Sequence, residues 1–397
     1  MFFKRLWSRP YKRTYLDYAA STPVDEKMIA SFPALTPEQL IGNPGALHRE
    51  GLAAKKVISD ARERIAKQLR AHADEIIFTS GATEANNLAV LGTIRSWRAH
   101  GIPAHHIELI TTELEHPAIF ETAKALQKEG IEVSFLKVNE SGVNVKSLSP
   151  NPAATHVLVT CMYVHNELGT IFPIKEIAKR IRFLKKQNPG LEIIFHTDAT
   201  QAPNTIAIDI PTLGVDMFTI GATKLYTHKG VGMLFKKRSI KLTNFLYGGG
   251  QEFGLVPGTE PVYLVDLFSR AFAYAQTHAE KINEKLSKLQ SYFEKRITTE
   301  IPNVHIDDIH LKRSPHITHL SISNFDSELL VLELDARGIA ISSQSACTDV
   351  APPDSYMKRF GDTTGLLRFS FGRFTTKADL DRAVKALKEV LEKYKNL

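Results

Sequence analysis

Cysteine is scarce in this chain, with 2 residues in 397. Two thiols cannot build a disulfide framework, so the fold must be held by its core. Long apolar runs are missing as well, and none approaches the ~20 residues that a bilayer crossing needs. The start, from Met1 to Pro10, carries Lys4, Arg5 and Arg9 but no apolar stretch of ~7–15 residues, so no secretory leader is expected. Nor is charge of one sign in large excess: 50 Lys and Arg stand against 43 Asp and Glu, for a net +7. The cations are scattered among acids, as in Lys175-Glu176, without a basic stripe interleaved with aromatics. That argues against a nucleic-acid module and leaves open a basic surface that docks acidic partners. Internal repeats and low-complexity segments are absent. The expectation is a folded protein of a reducing compartment, read as cytoplasmic, without direct nucleic-acid or membrane contact.

What is present alternates. Helical spacing of apolar residues runs through 52–69, 88–97, 119–128 and 174–184, the last with Ile174, Ile177, Ala178, Ile181 and Leu184 on one face. Short β-rich runs fall at 75–79, 107–111, 133–138, 156–164, 192–196, 217–220 and 232–235. This alternation predicts an α/β fold, a mainly parallel sheet with helices on both faces. The texture changes around Pro257–Pro261. A long helical stretch follows, with Ile282, Leu286, Leu289 and Phe293 in phase, then short strands near 318–323 and 367–371. A last helix carries Leu380, Ala383, Val384, Leu387 and Leu391. That is a smaller α+β domain, with a boundary expected near residue 265; the length alone favours two domains.

The two cysteines lie in opposite settings. Cys161 sits in the apolar run Val157-Leu158-Val159-Thr160-Cys161-Met162 and reads as a small buried hydrophobe. Cys347 lies in Ser345-Ala346-Cys347-Thr348-Asp349, before Pro352-Pro353, a loop composition with no packing reason for a thiol. An accessible thiol is a liability unless its chemistry is used.

Three runs join a strand end to polar chemistry. In Thr79-Ser80-Gly81-Ala82-Thr83-Glu84 a glycine turn opens a helix, which makes either an anion site with Thr83 as an extra donor or a plain capped turn. In Phe195-His196-Thr197-Asp198-Ala199-Thr200-Gln201 a strand delivers an acid at its carboxyl end, where open sheets place ligands. Asp198 could pair with a protonated ring nitrogen, cap a helix or serve a metal. In Gly221-Ala222-Thr223-Lys224 a lysine follows another strand end, either as a desolvated nucleophile or as a solvated turn residue. Together a phosphate turn, an acid for a pyridinium nitrogen and a lysine for a carbonyl are the handles of pyridoxal 5'-phosphate.

With these runs in view the chain resembles the cysteine desulfurases of the NifS/IscS type, in the class V aminotransferase group of fold-type I pyridoxal-phosphate enzymes. The likeness extends over nearly the whole chain. It is carried by Leu16-Asp17-Tyr18-Ala19, Asn43-Pro44, Glu115-His116, Asn166-Glu167-Leu168-Gly169, Gly248-Gly249-Gly250-Gln251-Glu252, Gly258-Thr259, Ser345-Ala346-Cys347-Thr348 and Leu367-Arg368-Phe369. It implies a large cofactor domain over 25–265 with a mainly parallel sheet of seven-stranded type. A small domain from 1–24 and 266–397 would carry a mobile cysteine loop. By the same resemblance Lys224 would hold the cofactor and move the Cα proton, Asp198 would face the pyridine nitrogen, and His116 would stack on the ring. Gln201 and Asn166 would lie on the 3′-oxygen side. Gly81, Ala82, Thr83 and Thr223 would line the phosphate, and Thr259 would reach the phosphate of a second copy, which implies a homodimer. Asn43 and Arg368 would grip the carboxylate of L-cysteine. Cys347 would take its sulfur as a persulfide, release L-alanine, and pass the sulfur to an acceptor protein, an Fe–S scaffold or a sulfur carrier, for cluster assembly or tRNA thiolation. A related lyase acting on selenocysteine, or a non-catalytic scaffold partner, are the alternatives. The scattered histidines match no compact metal-ligand set.

Three stretches depart from the family pattern. Gly221 and Thr223 stand where the family has Ser and His before the lysine, Val256 stands where it has Arg before Ser-Gly-Thr, and His165 replaces the first Asn of Asn-Asn-Glu. Each lost hydrogen bond weakens cofactor binding by about 1–3 kcal/mol. The protein is therefore expected to lose its cofactor on extensive dialysis, followed by visible absorbance. Full retention would contradict this.

Overall fold

The computed structural model describes residues 13–139, 142–343 and 365–394, so Cys347 lies outside the described residues. The chain divides into two packing units, a larger one of 22–165 and 170–281 and a smaller one of 1–21, 166–169 and 282–397.

The larger unit is built on seven strands: β1 (Ile76–Thr79), β2 (Ile107–Thr112), β3 (Glu132–Leu136), β4 (His156–Thr160), β5 (Glu192–Asp198), β6 (Met217–Gly221) and β7 (Gly232–Lys236). Their order in the sheet is β1-β7-β6-β5-β4-β2-β3. Only β7 runs against its neighbours; every other pair is parallel. This is the mainly parallel, seven-stranded sheet expected. Every residue of β1, β2 and β6 is buried, which is why these runs read as continuous apolar segments rather than alternating ones. The helix Ile174–Gln187 buries Ile174, Ile177, Ala178, Ile181 and Leu184, the face its spacing predicted. The helix Ala82–Ala99 starts ahead of its apolar pattern because its first turn is polar, with Thr83, Glu84, Asn86 and Asn87. Regular strand β4 stops at Thr160, short of the run expected to 164. The chain beyond still bonds its neighbour, with Tyr163 N–H donating to Asp198 O at 2.7 Å.

β1 and β7 bring the turn after Thr79 against Gly232. A Cβ on Gly232 would lie 2.7 Å from the carbonyl carbon of Gly81, so only glycine lets the two backbones meet here.

The smaller unit has a three-stranded antiparallel sheet of β8 (Val304–Ile306), β9 (Ile317–Ile322) and β10 (Gly365–Ser370), in that order. Its core joins Leu16, Leu286, Leu289, Phe293, Leu320, Phe369, Leu380, Val384 and Leu387. The expected boundary near residue 265 marks the start of the helix Val262–Glu300 rather than a change of unit. Val265, Phe268 and Phe272 are buried in the part assigned to the larger unit, and the smaller unit begins at Ile282. A sequence texture registers where a helix starts; it does not register which core each turn serves.

Phe293 is fully buried, with ring centroids 5.0 Å from Phe369 and 5.4 Å from Phe371. Phe293→Ala should destabilise the protein by about 3–5 kcal/mol in denaturant unfolding, because both transfer and cavity terms are lost. A change below ~1 kcal/mol would mean this core collapses freely.

Candidate active site

The larger unit collects polar groups at the carboxyl ends of β5 and β6. Asp198 closes β5 and is 7% exposed. Its Oδ1 accepts from Thr200 N–H at 2.9 Å and its Oδ2 from the Asn86 side-chain amide at 2.6 Å. No ion pair reaches Asp198 among the described residues. Asn86 is fully buried on the helix Ala82–Ala99, and its own Oδ1 has no partner among the described residues; nor has Thr200 Oγ1.

The surroundings of Asp198 are held neutral. Burial pushes the Glu115 carboxyl up to about 8, and the nearby charge of Asp198 adds to the rise. Glu115 Oε1 accepts from Met162 N–H at 2.8 Å and from Thr112 Oγ1 at 3.0 Å, while Oε2 has no partner among the described residues. His196, buried between Thr160 Oγ1 at 2.9 Å and Thr219 Oγ1 at 3.0 Å, is pushed down to about 4 by burial. Burial also keeps the Cys161 thiol well up, with Glu115 adding to it. Cys161 is thus the inert buried thiol that its apolar run predicted.

Lys224 ends a short 3₁₀ turn, Ala222–Lys224, directly after β6. The turn is braced from two sides. Thr22 donates through its N–H at 3.0 Å and its Oγ1 at 3.1 Å to the carbonyl of Thr223, and its Oγ1 accepts from Tyr226 N–H at 2.9 Å. Asn204, in the turns after Asp198, donates to Lys224 O at 2.5 Å. These bonds fix where the lysine leaves the backbone and tie it to the loop that follows Asp198.

The Gly81 N-cap of the helix Ala82–Ala99 makes no side-chain capping bond, which leaves the first-turn N–H groups available to an anion. Gly81 and Ala82 are half-buried and Thr83 is exposed. Gly221 offers no hydroxyl, and a Cβ there would sit 3.0 Å from the Ala82 Cβ. His116 is the N-cap of the helix Pro117–Lys128, its Nδ1 accepting from Ala118 N–H at 3.1 Å, which leaves Nε2 to carry the proton in the neutral ring. Gln201 is buried. Asn43 and Thr259 are exposed and line one open cavity of about 340 Å³ with Ile41 and Tyr263.

Two residues assigned to different parts of the site meet in the smaller unit. Arg368, on β10 and 1% exposed, donates through Nη1 to the Asn166 carbonyl at 2.9 Å and through Nη2 to Asp17 Oδ1 at 2.9 Å. The Asn166 main chain therefore supports the arginine. Among the described residues no three His, Cys, Asp or Glu side chains are grouped to hold a metal, and no helix is long and apolar enough to cross a membrane.

The donor set fits pyridoxal phosphate. A buried acid without a cation among the described residues suits a protonated ring nitrogen, a helix start at a glycine suits a phosphate, and a braced lysine suits a carbonyl. Sequence reading gave no role to Asn86, Glu115, Thr22, Asn204 or Asp17, although Asp17 and Glu115 stand within the family motifs. Asn86 left a signal, a poor helix former inside a helix; Thr22 and Asn204 left none, because their value lies in the backbone groups they reach.

Residues 14–383 match the family model described as Aminotransferase class-V. The chain is 33% identical over 392 residues to cysteine desulfurase IscS of Dictyoglomus turgidum (strain DSM 6724 / Z-1310), covering 97% of this chain and 96% of that one. It is similar to a solved NifS-like protein with a TM-score of 0.83 and 28% identity, over 96% of this chain and 99% of that one. A structure titled SspA in complex with cysteine matches with a TM-score of 0.74 and 28% identity, over 91% and 100%.

Glu115 gives the floor of the site a pH signature. The folded carboxyl holds its proton to about pH 8, whereas the unfolded one releases it near its ordinary 4.5. Between those values the unfolded chain binds fewer protons, so this group lowers stability as pH rises, by at most about 1.4 kcal/mol per pH unit. Glu115→Gln removes that slope. Urea unfolding at about pH 5 and about pH 8 should show the variant gaining on the parent as pH rises. A difference that stays constant would mean that Glu115 is ionised in the folded protein.

Proposed function

The chain belongs to the aminotransferase class-V family, in its cysteine desulfurase group, and we propose on that premise that it converts L-cysteine to L-alanine and carries the sulfur away on Cys347. The observation that carries this reading is the pairing of a buried Asp198, without a cation among the described residues, with a lysine turn braced from the loop that follows it. That is the arrangement a pyridoxal-phosphate site needs, and the conversion of an amino acid follows from it.

When bound, pyridoxal phosphate supplies an electron sink for the bonds at the substrate Cα. The chain supplies the rest. Asp198, held by Asn86 and Thr200, keeps the ring nitrogen protonated. The first turn at Gly81, Ala82 and Thr83, with Thr223, receives the phosphate through N–H and hydroxyl donors. His116 covers the ring face, and Gln201 and Asn166 serve the 3′-oxygen side. Lys224 holds the group and then moves the Cα proton. Arg368, with Asn43, binds the substrate carboxylate; a planar guanidinium suits that task. The Cys347 thiolate attacks the substrate Sγ, the S–S bond forms as the Cβ–S bond breaks, and the electron pair stays with the carbon fragment. Protonation of that fragment gives alanine, and the enzyme keeps a persulfide.

We place the active unit as a homodimer. Ile41, Leu47 and Tyr247 on the larger unit are 79%, 89% and 90% exposed, and apolar side chains of that size so open to water favour a protein partner. Thr259, exposed beside Ile41, is available to a second copy's phosphate. A sulfur acceptor, either an Fe–S scaffold or a sulfur carrier, completes the reaction, and a working thiol fits a reducing, cytoplasmic setting.

After L-cysteine, mass spectrometry should find one added sulfur on Cys347, and Cys347→Ala should stop alanine release. Undiminished turnover in that variant sinks the mechanism and favours a lyase of the selenocysteine type. A visible absorbance that disappears in Lys224→Ala excludes a non-catalytic partner.

A further inference from the structure

We propose that Asp17 is a positioning and affinity-setting residue for substrate: it holds the Arg368 guanidinium in place and opposes the carboxylate that Arg368 receives. This rests on the reading of Arg368 as the carboxylate grip.

Arg368 is among the largest fully buried side chains of the chain. A buried guanidinium is expensive to leave uncompensated, and the anion within reach is Asp17, at 2.9 Å from Nη2. The remaining described contact, to the Asn166 carbonyl, is neutral. Guanidinium has five N–H donors. Asp17 and Asn166 take up two of them, and Nε is buried without a partner among the described residues. The arginine is therefore held and charge-balanced, yet still has donors to give a carboxylate.

Asp17 is not free to withdraw. It forms a bridge to Ser370, the last residue of β10, and Ser370 N–H donates to Leu16 O at 2.7 Å. Ala19 N–H donates to Ser370 Oγ at 2.9 Å. The Tyr15 hydroxyl, with one proton to give, lies 2.8 Å from Ser21 O and 3.0 Å from Asp17 O and is shared between them. The Tyr15 hydroxyl is itself pushed up to about 12, by burial first and by Asp17 next. A segment tied on both sides of Asp17 to Ser370, on the strand that carries Arg368, keeps its acid beside the guanidinium while a substrate arrives.

The incoming carboxylate thus meets a cation that is already neutralised, and binding places two negative charges on one guanidinium. Removing the charge of Asp17 while keeping its acceptor oxygen should tighten carboxylate binding. A residue with only a structural role would do the opposite when altered.

The test uses the cofactor-loaded, full-length protein and two amines, read by the visible absorbance change on titration. L-Alanine carries the carboxylate without the sulfur, and ethylamine lacks the carboxylate. Asp17→Asn should lower the Kd for L-alanine by roughly tenfold and leave that for ethylamine unchanged, as expected when one like charge leaves a poorly solvated site. Asp17→Ser, which loses the holding contact as well as the charge, should gain less than Asp17→Asn. In an Arg368→Gln background the Asp17→Asn change should have no effect, since Asp17 acts through the arginine. Unchanged or weaker L-alanine binding in both Asp17 variants overturns the proposal, as does an equal shift for both amines. Arg368→Lys separately tests the premise. If it leaves L-alanine affinity intact, Arg368 is not the grip and the proposal falls with that reading; if it weakens L-alanine alone, the premise stands whatever the Asp17 variants do.

Discussion

A carboxylate held at the end of a buried strand, in surroundings kept neutral, is the constraint on which the larger unit is organised. Two N–H donors, from Thr200 and the Asn86 amide, hold Asp198. The titratable groups packed nearby are pushed away from charge, Glu115 upward and His196 downward, both by burial. Field from one acid is therefore not cancelled by its neighbours, and in a medium of low polarity it acts strongly on a cation brought next to it. A ring nitrogen protonated by such a group stays protonated, which is what makes bonds at a substrate carbon labile.

The sheet makes this possible by topology. Parallel strands β5 and β6 end on the same side, so the loop after Asp198 and the turn holding Lys224 meet, and Asn204 joins them with one bond. Antiparallel β7 brings Gly232 against Gly81, which sets the start of the helix Ala82–Ala99 beside the end of β6. Three features distant in sequence converge because strand ends converge. Gly221 belongs to the same geometry: it lies at the β6 terminus against Ala82, where a Cβ would sit 3.0 Å from the Ala82 Cβ.

Much of this was legible in the sequence, and the limits have physical causes. The strands showed because both faces are buried, and Asp198 and Lys224 showed because they follow such runs. Asp198 alone could have been a cap, and Asn86, though marked as a poor helix former inside a helix, did not show which residue it meets, since the two meet only through packing of a helix on the sheet. Likewise Asn166 and Arg368 were given separate tasks from their motifs. A main-chain carbonyl supports the arginine, and main-chain groups carry no sequence signature. The unit boundary was misplaced because one helix serves two cores, with Phe268 and Phe272 in the first part and Leu289 and Phe293 in the second.

The two units solve opposite electrostatic problems. The larger holds an acid and supplies no cation to it among the described residues, so a cationic group brought there would meet an unanswered charge. The smaller holds a cation and supplies its own acid, so its site is already neutral and an arriving anion must share. A permanent ligand and a transient one call for this difference. A cofactor kept through many turnovers gains from an unanswered charge. A substrate whose product shares the same carboxylate would gain from a grip that is partly answered beforehand, because an unanswered cation holds substrate and product alike. Asp17 and Asp198 are the same chemical group used in contrary ways, and the difference lies in what each faces: donors without charge in one case, a buried guanidinium in the other.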